Sequence, residues 1–273
     1  SSARSTRSRS SVRTSADARG LGPALLLLVS GCATAPPAPR FLPDPVPLSR
    51  GSERVWSGVA ATGPNEGAAG TFSVHRPDSG QAVHSLAELA VTLAGVPATV
   101  LEVGWMVSPT AFGDHEPRLF VHAWRGDEAC PRRCGFALMS GAPRAPGEAL
   151  LPGRDVGLEL SRRDDGWWVV VDGRDIGRFD AGPPATSVQW FGELLFTGRA
   201  PAGEMGSGRR PPDEGAARVE GLCIRSGRGE FCSAPKALEV QQTDPEAYPV
   251  RVEGRDRIRY GGGAAVRPRP PPS

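Results

Sequence analysis

From about residue 59 the chain breaks into short runs in which apolar and polar side chains alternate, each closed by a turn signal. Alternation of this kind predicts strands with one buried face, because successive side chains of extended backbone point to opposite sides. GTFSVHRP sets Phe72 and Val74 between polar neighbours and stops at Pro77. LEVGWMV, RLFVHAW, DVGLELSRR, GWWVVVDG and SVQWFGELLF follow as further strands. DDG at 164–166 and DG at 172–173 fit tight hairpin turns, where glycine accepts positive φ at little cost. SLAELAVTLAG fits either a strand or a helical turn or two. The pattern as a whole predicts an all-β fold, an antiparallel β-sandwich of two sheets. Composition agrees, since 35 Gly and 28 Pro in 273 residues are too many helix breakers for a helical protein.

Ahead of this body the pattern is different. Arg4, Arg7, Arg9, Arg13 and Arg19 precede GLGPALLLLV, an apolar run of about ten residues, too short to span a bilayer. Residues 1–31 therefore read as an export signal. It ends in VSGC, which resembles the bacterial lipobox and makes Cys32 the lipidated residue and new N-terminus. Residues 32–58 are Pro-rich and aperiodic, an extended tether that holds the folded domain, 59–258, off a membrane. Residues 259–273 read as a flexible tail. The expected location is the cell envelope, lipid-anchored at the outer membrane or the periplasmic face, or else extracellular. Ala33 stands where an inner-membrane retention signal would have aspartate, which favours the outer membrane.

Charge narrows the partners. The formal +2 includes five Arg and one Asp of the leader, and the rest of the chain has 27 basic against 29 acidic side chains. No basic cluster interleaved with aromatics survives in the body, so no nucleic-acid partner is expected. Without Cys32, four cysteines remain: Cys130, Cys134, Cys223 and Cys232. Two short-range disulfides, Cys130 with Cys134 and Cys223 with Cys232, are the simplest of three possible pairings in an exported chain. No second ligand cluster accompanies the thiols, and His75, His84, His115 and His122 match no common metal spacing, so no metal and no cofactor is expected. Ser207, in GEMGSGRRP, lacks nucleophile-elbow spacing, and no histidine follows it in the chain.

Two carboxylates break the strand pattern. In LEVGWMV, Leu101, Val103, Trp105 and Val107 share one face, while Glu102 projects from the other with Gly104 and Met106. In SVQWFGELLF, Glu193 shares a face with Gln189, Phe191 and Leu195, opposite Val188, Trp190, Leu194 and Phe196. If the strands lie side by side, the two acids share a cleft, where like charges cannot both ionise cheaply and the pair divides into an acid and a base. Such a pair activates water against an amide or glycosidic bond. The plainer alternative makes each glutamate an ordinary outward residue or the partner of an arginine.

EVGWMVSPTAFGDHEPRLFVHAW, CPRRCGF, VQWFGELLF and EMGSGRRPPDEGAA occur in that order, after FSVHRP and SLAELAV. Together they resemble the successive landmarks of the neprosin domain, a group of glutamic endopeptidases that cleave on the carboxyl side of proline. The resemblance runs from about residue 69 to 233. It implies an antiparallel β-sandwich related in architecture to fungal glutamic peptidases, with Glu102 and Glu193 as the catalytic pair. One glutamate would act as general base on the attacking water, and the other would bind and protonate as the amide breaks; the resemblance leaves the division of roles open. It also implies the Cys130–Cys134 disulfide, with Cys223 and Cys232 supplying a second. Gln189, Trp105 and Trp190 are the candidate substrate-binding residues, because flat aromatic faces suit a prolyl ring. Core packing is the competing role for Trp105 and Trp190, which lie opposite the acids.

Two departures matter. About 27 residues separate Cys32 from the first body strand, so a self-inhibiting activation segment is not expected. RLFVHAW carries one residue more than the family stretch and places His122 where an aromatic is usual. The expected partners are a proline-containing peptide or protein and, through Cys32, a membrane; the expected state is a monomer. A non-catalytic β-sandwich lipoprotein that binds peptide or polysaccharide in the same cleft is the competing function.

Overall fold

The computed structural model describes residues 52–126, 128–130, 135–197, 203–228 and 232–263. The export signal, Cys32, the tether up to residue 51, Cys134 and the tail beyond residue 263 lie outside the described residues. Among the described residues, strand is almost the only regular structure. It runs through β1 (Ser52–Asn65), β2 (Gly67–Ser73), β3 (Ala82–Leu93), β4 (Thr99–Val107), the short α1 (Pro109–Phe112), β5 (Arg118–Arg125) and β6 (Glu128–Ala129). There follow β7 (Ala137–Leu138), β8 (Asp155–Arg163), β9 (Gly166–Val171), β10 (Arg174–Phe179), β11 (Ala185–Thr197) and β12 (Glu204–Met205). The last are β13 (Ala217–Arg225), β14 (Glu239–Gln242), β15 (Val250–Val252), β16 (Arg257–Tyr260) and β17 (Gly262–Gly263).

Two large sheets form, in the orders β14-β1-β11-β3-β4-β5-β6 and β15-β16-β13-β2-β8-β9-β10-β7, with β12 and β17 as a small separate pair. The strand pairs in both large sheets are antiparallel, as the alternation predicted. Two boundaries move. β1 begins at Ser52, inside the segment read as tether, because ERVWSGVAA already alternates once the prolines stop. β16 and β17 carry the fold to Gly263, past the expected limit of 258. SLAELAVTL resolves as strand, held on both sides by β11 and β4.

The core lies between the large sheets. Register aligns Val59, Trp190, Leu89, Val103 and Val121 across five neighbouring strands, and all five are buried. Phe72, Leu158, Leu160, Trp167, Val169 and Val219 belong to the same apolar cluster. Trp105 and Trp190 seal it. Each is fully buried, and each indole N–H donates to a backbone carbonyl of β2, Trp105 to Ser73 at 3.1 Å and Trp190 to Ala69 at 3.0 Å. A buried indole N–H needs such a partner, and here the facing sheet supplies it. Neither tryptophan is available to a substrate, so their expected binding role is withdrawn in favour of core packing.

Candidate active site

The other face of the seven-stranded sheet carries the acids. Antiparallel register places residues in rows across β1, β11, β3, β4 and β5, and partners opposite one another share a face. One row reads Ala60, Gln189, Ala90, Glu102, His122; the next Gly58, Phe191, Glu88, Gly104, Phe120; the third Trp56, Glu193, Leu86, Met106, Arg118. Glu193, Glu88 and Glu102 therefore step one strand and one row at a time along a single diagonal. Diagonal neighbours on a sheet face are about 7–8 Å apart at Cα, within reach of side chains as long as glutamate.

The same diagonal continues to Arg54 on β1 at one end and to Trp124 on β5 at the other. Its two ends meet. The Arg54 guanidinium carbon lies 5.1 Å from the centre of the Trp124 ring, while Arg54 Nε is 3.8 Å from Glu193 Oε1. Contact between side chains four strands apart requires the face to be concave along this line, so the three carboxyls converge in a groove.

Each acid has a distinct setting. Glu193 is 7% exposed; His84 Nε2 is 2.9 Å from its Oε1, close enough to donate a hydrogen bond to it, and Arg54 lies beyond. Glu102 is half-buried at the groove floor and accepts a 2.8 Å hydrogen bond from the Trp124 indole. Burial pushes the Glu102 carboxyl up to about 8, the Trp124 hydrogen bond opposes that rise, and the Glu193 charge adds to it. Glu88, in the middle, is buried, and its Oε2 has no hydrogen-bond partner. Burial, followed by the charges of Glu102 and Glu193, raises the Glu88 carboxyl well above the usual range.

The groove floor depends on missing side chains. A Cβ at Gly104 would fall 2.2 Å from Ala87 O, 2.7 Å from Phe120 Cε1 and 2.8 Å from Glu88 Cβ. A Cβ at Gly58 would fall 2.3 Å from both Phe191 Cβ and Trp190 O. Glycine at these two places lets the row that carries Glu88 pack tightly beneath its neighbours.

The structure brings Glu102, Glu193 and Gln189 onto one face, with Ala90 alone between Gln189 and Glu102 in their row. The Gln189 amide donates to Gln241 Oε1 at 2.7 Å on the edge strand. Glu88 was missed by sequence reasoning, although SLAELAV shows the same signal as the other two, one carboxylate in an apolar strand. Trp56 and Trp124 were missed as aromatic walls. Trp56, directly opposite Glu193 in register, is 38% exposed, and Trp124 is half-buried over Glu102. The alternation of RLFVHAW already sets Trp124 on the face opposite Leu119, Val121 and Ala123; Trp56 was hidden in the supposed tether. Elsewhere, Cys223 and Cys232 form a disulfide with an S–S distance of 2.06 Å. Cys130 is buried and disulfide-bonded, and Cys134 lies outside the described residues.

The neprosin family model matches residues 81–263, which include all three acids. Among solved structures, the chain is similar to scytalido-glutamic peptidase with a transition-state analogue inhibitor, at 10% identity and a TM-score of 0.49, over 78% of this chain and 99% of that one. It is also similar to SCP-B, an eqolisin-family peptidase in complex with a tripeptide, at 12% identity and a TM-score of 0.43, over 78% of this chain and 99% of that one. Among curated proteins, none matches.

Proposed function

The chain belongs to the neprosin family, and from that premise we propose that it is a glutamic endopeptidase working through Glu193 and Glu102. The observation that carries this reading is the pairing of two carboxyls in opposite electrostatic settings on one concave face. Glu193, between His84 and Arg54, is the member suited to bear negative charge. Glu102, whose carboxyl holds its proton up to about 8, is the member suited to give one away.

The steps follow from that division. Glu193 takes a proton from a water as the water oxygen bonds to the scissile carbonyl carbon. Glu102 hydrogen-bonds the carbonyl oxygen as charge develops there, then protonates the amide nitrogen as the C–N bond breaks. Acid and amine leave, and the site resets when Glu193 loses its proton and Glu102 regains one. The mechanism uses no metal or cofactor.

Cleavage after proline belongs to the same proposal. Trp56 supports it, because it presents an exposed flat apolar face beside Glu193, where a prolyl ring can stack. Gln189, with its amide on the same face, is the proposed partner for substrate backbone. We further propose that the enzyme is exported and anchored through lipidated Cys32; the basic, apolar and small-residue order ending in VSGC supports this. Lipidation is checked by a mass shift that disappears in Cys32→Ala.

The test of the activity is hydrolysis of a quenched fluorescent proline-containing peptide between about pH 4 and about pH 9.5, by the wild type, Glu102→Gln and Glu193→Gln. Turnover that either substitution abolishes, with circular dichroism unchanged, supports the peptidase. A well-folded wild type that binds such peptides without cutting them leaves the groove as a binding site.

A further inference from the structure

The central carboxyl of the diagonal has no part in the two-residue mechanism above. Glu88 sits one strand and one row from Glu193 on one side and from Glu102 on the other. From β1 to β5 its row holds only Gly58, Phe191, Gly104 and Phe120 beside it. The side chain is 3% exposed, so substrate does not reach it, and one of its oxygens is buried without a partner. A buried, unsatisfied carboxyl costs stability, and a strand interior offers many cheaper residues, so its presence asks for a reason. The charged and titratable groups around it are Glu102 on β4, Glu193 on β11, Arg54 on β1, His122 on β5 and His84 on its own strand.

We propose that Glu88 is a positioning residue of the peptidase reaction: a neutral carboxyl, midway along the diagonal, that places polar atoms between Glu102 and Glu193 and keeps both aimed at the substrate. The inference rests on the peptidase reading. Two acids that must hold different protonation states are drawn to each other, since the protonated one donates readily to the charged one. If they met, the Glu102 proton would point at Glu193 and not at the scissile amide. A neutral carboxyl between them keeps the two apart; its Oε2 makes no hydrogen bond in this structure, so it is free to offer an O–H toward the Glu193 charge or an acceptor toward the Glu102 proton once substrate fills the groove. Direct substrate contact is left to the outer oxygens. Neutrality is needed because a second negative charge in the same groove would oppose the ionised Glu193.

This role requires a neutral hydrogen-bonding group at position 88 but not a dissociable proton, which separates it from catalysis proper. The experiment compares Glu88→Gln, which keeps donor and acceptor, with Glu88→Met, which keeps length and lacks both. Peptide hydrolysis is followed over the full pH range, with thermal unfolding measured alongside. Glu88→Gln should keep kcat within about threefold of the wild type and leave the alkaline limb of the pH profile in place. Glu88→Met should lower kcat roughly 10- to 100-fold, the usual range for a group that orients an active-site residue, with KM within about twofold. Its unfolding midpoint should not fall, since an apolar side chain replaces an unsatisfied acid. Wild-type kcat in Glu88→Met overturns the proposal, as does a loss in Glu88→Gln equal to that in Glu88→Met, which would make the Glu88 proton itself a reactant. An inactive wild type removes the peptidase reading, and this inference with it, and is told apart from both by needing no variant.

Discussion

The two large sheets use the same residue types to opposite ends. On the eight-stranded sheet, acids are matched by arginines: Arg225 with Glu159 at 2.9 Å, Arg163 with Asp175 at 2.7 Å and Arg218 with Asp155 at 2.7 Å. These pairs are solvent-exposed or nearly so, and their charges are settled locally. On the seven-stranded sheet, three glutamates share the groove with His84, His122 and a single arginine, Arg54, and two of the three are buried. Acids outnumber cations there, so protons must make up the difference. An exposed carboxylate with its own arginine does structural work of modest value, whereas crowded carboxyls short of cations keep protons at pH values where ordinary ones have lost them, and this makes acid–base chemistry available.

That contrast is broken most severely at Glu193 and Glu102. Replacing either by glutamine should cut kcat by about 10²–10⁴, the usual share of one positioned acid or base, with the fold intact by circular dichroism. The inward face of the same sheet gives the next largest effect, on stability: Trp190→Ala should cost about 3–5 kcal/mol in denaturant unfolding, through the cavity it leaves.

The pH response has a worked sign. Glu102 in the folded chain keeps its proton to about 8, against 4.5 for the unreacted side chain, so between these values the unfolded state binds fewer protons than the folded one. Stability must therefore fall as pH rises from about 4.5 to about 8 and level off above, by a few kcal/mol from this group, the reverse of an ion-paired carboxylate. Denaturant unfolding at either end of that window measures it, and Glu102→Gln should reduce the slope, leaving the share of Glu88, whose carboxyl is raised in the same direction. Activity should fall over the top of the same window as Glu102 loses its proton; a rate that is flat through pH 9 would exclude Glu102 as the acid.

Trp56→Ala tests the groove wall. It should raise KM for proline-containing peptides severalfold while leaving kcat near wild type, because Trp56, 38% exposed, lines the groove and is not part of the core between the sheets. The smallest effect belongs to the eight-stranded sheet. Arg163→Ala should change stability by at most about 1 kcal/mol and leave kcat unchanged.

Much of the site was legible along single strands. Glu102 and Glu193 stand out because alternation with a period of two shows which residues share a face, and that is local information. Glu88 carries the same local signature, but the apolar run around it is also compatible with a helix, so no face could be assigned to it. Trp105 and Trp190 were read as possible groove walls because they adjoin the acids in sequence. Adjacent residues of a strand point opposite ways, and the β2 carbonyls that bind their indoles come from the facing sheet. Trp56 lay beyond a boundary drawn by proline content, although its own stretch alternates. The diagonal from Arg54 to Trp124 was not legible at all, because it is made by the register of five strands and the curvature of the sheet they form.

That register also sets the order in which the groove can be built. Glu88 and Glu102 lie on one hairpin, β3 with β4, fourteen residues apart, and local pairing of that kind closes early and at small entropic cost. Glu193 arrives on β11, about a hundred residues later in the chain, and β11 must insert between β1 and β3. Until that late central strand is in place, the chain has the proposed acid without its proposed base. On the proposed pairing, a nascent or partly folded molecule is unable to cut itself or its neighbours, and hydrolytic competence comes only with the completed sheet, so its own topology times the moment of activation.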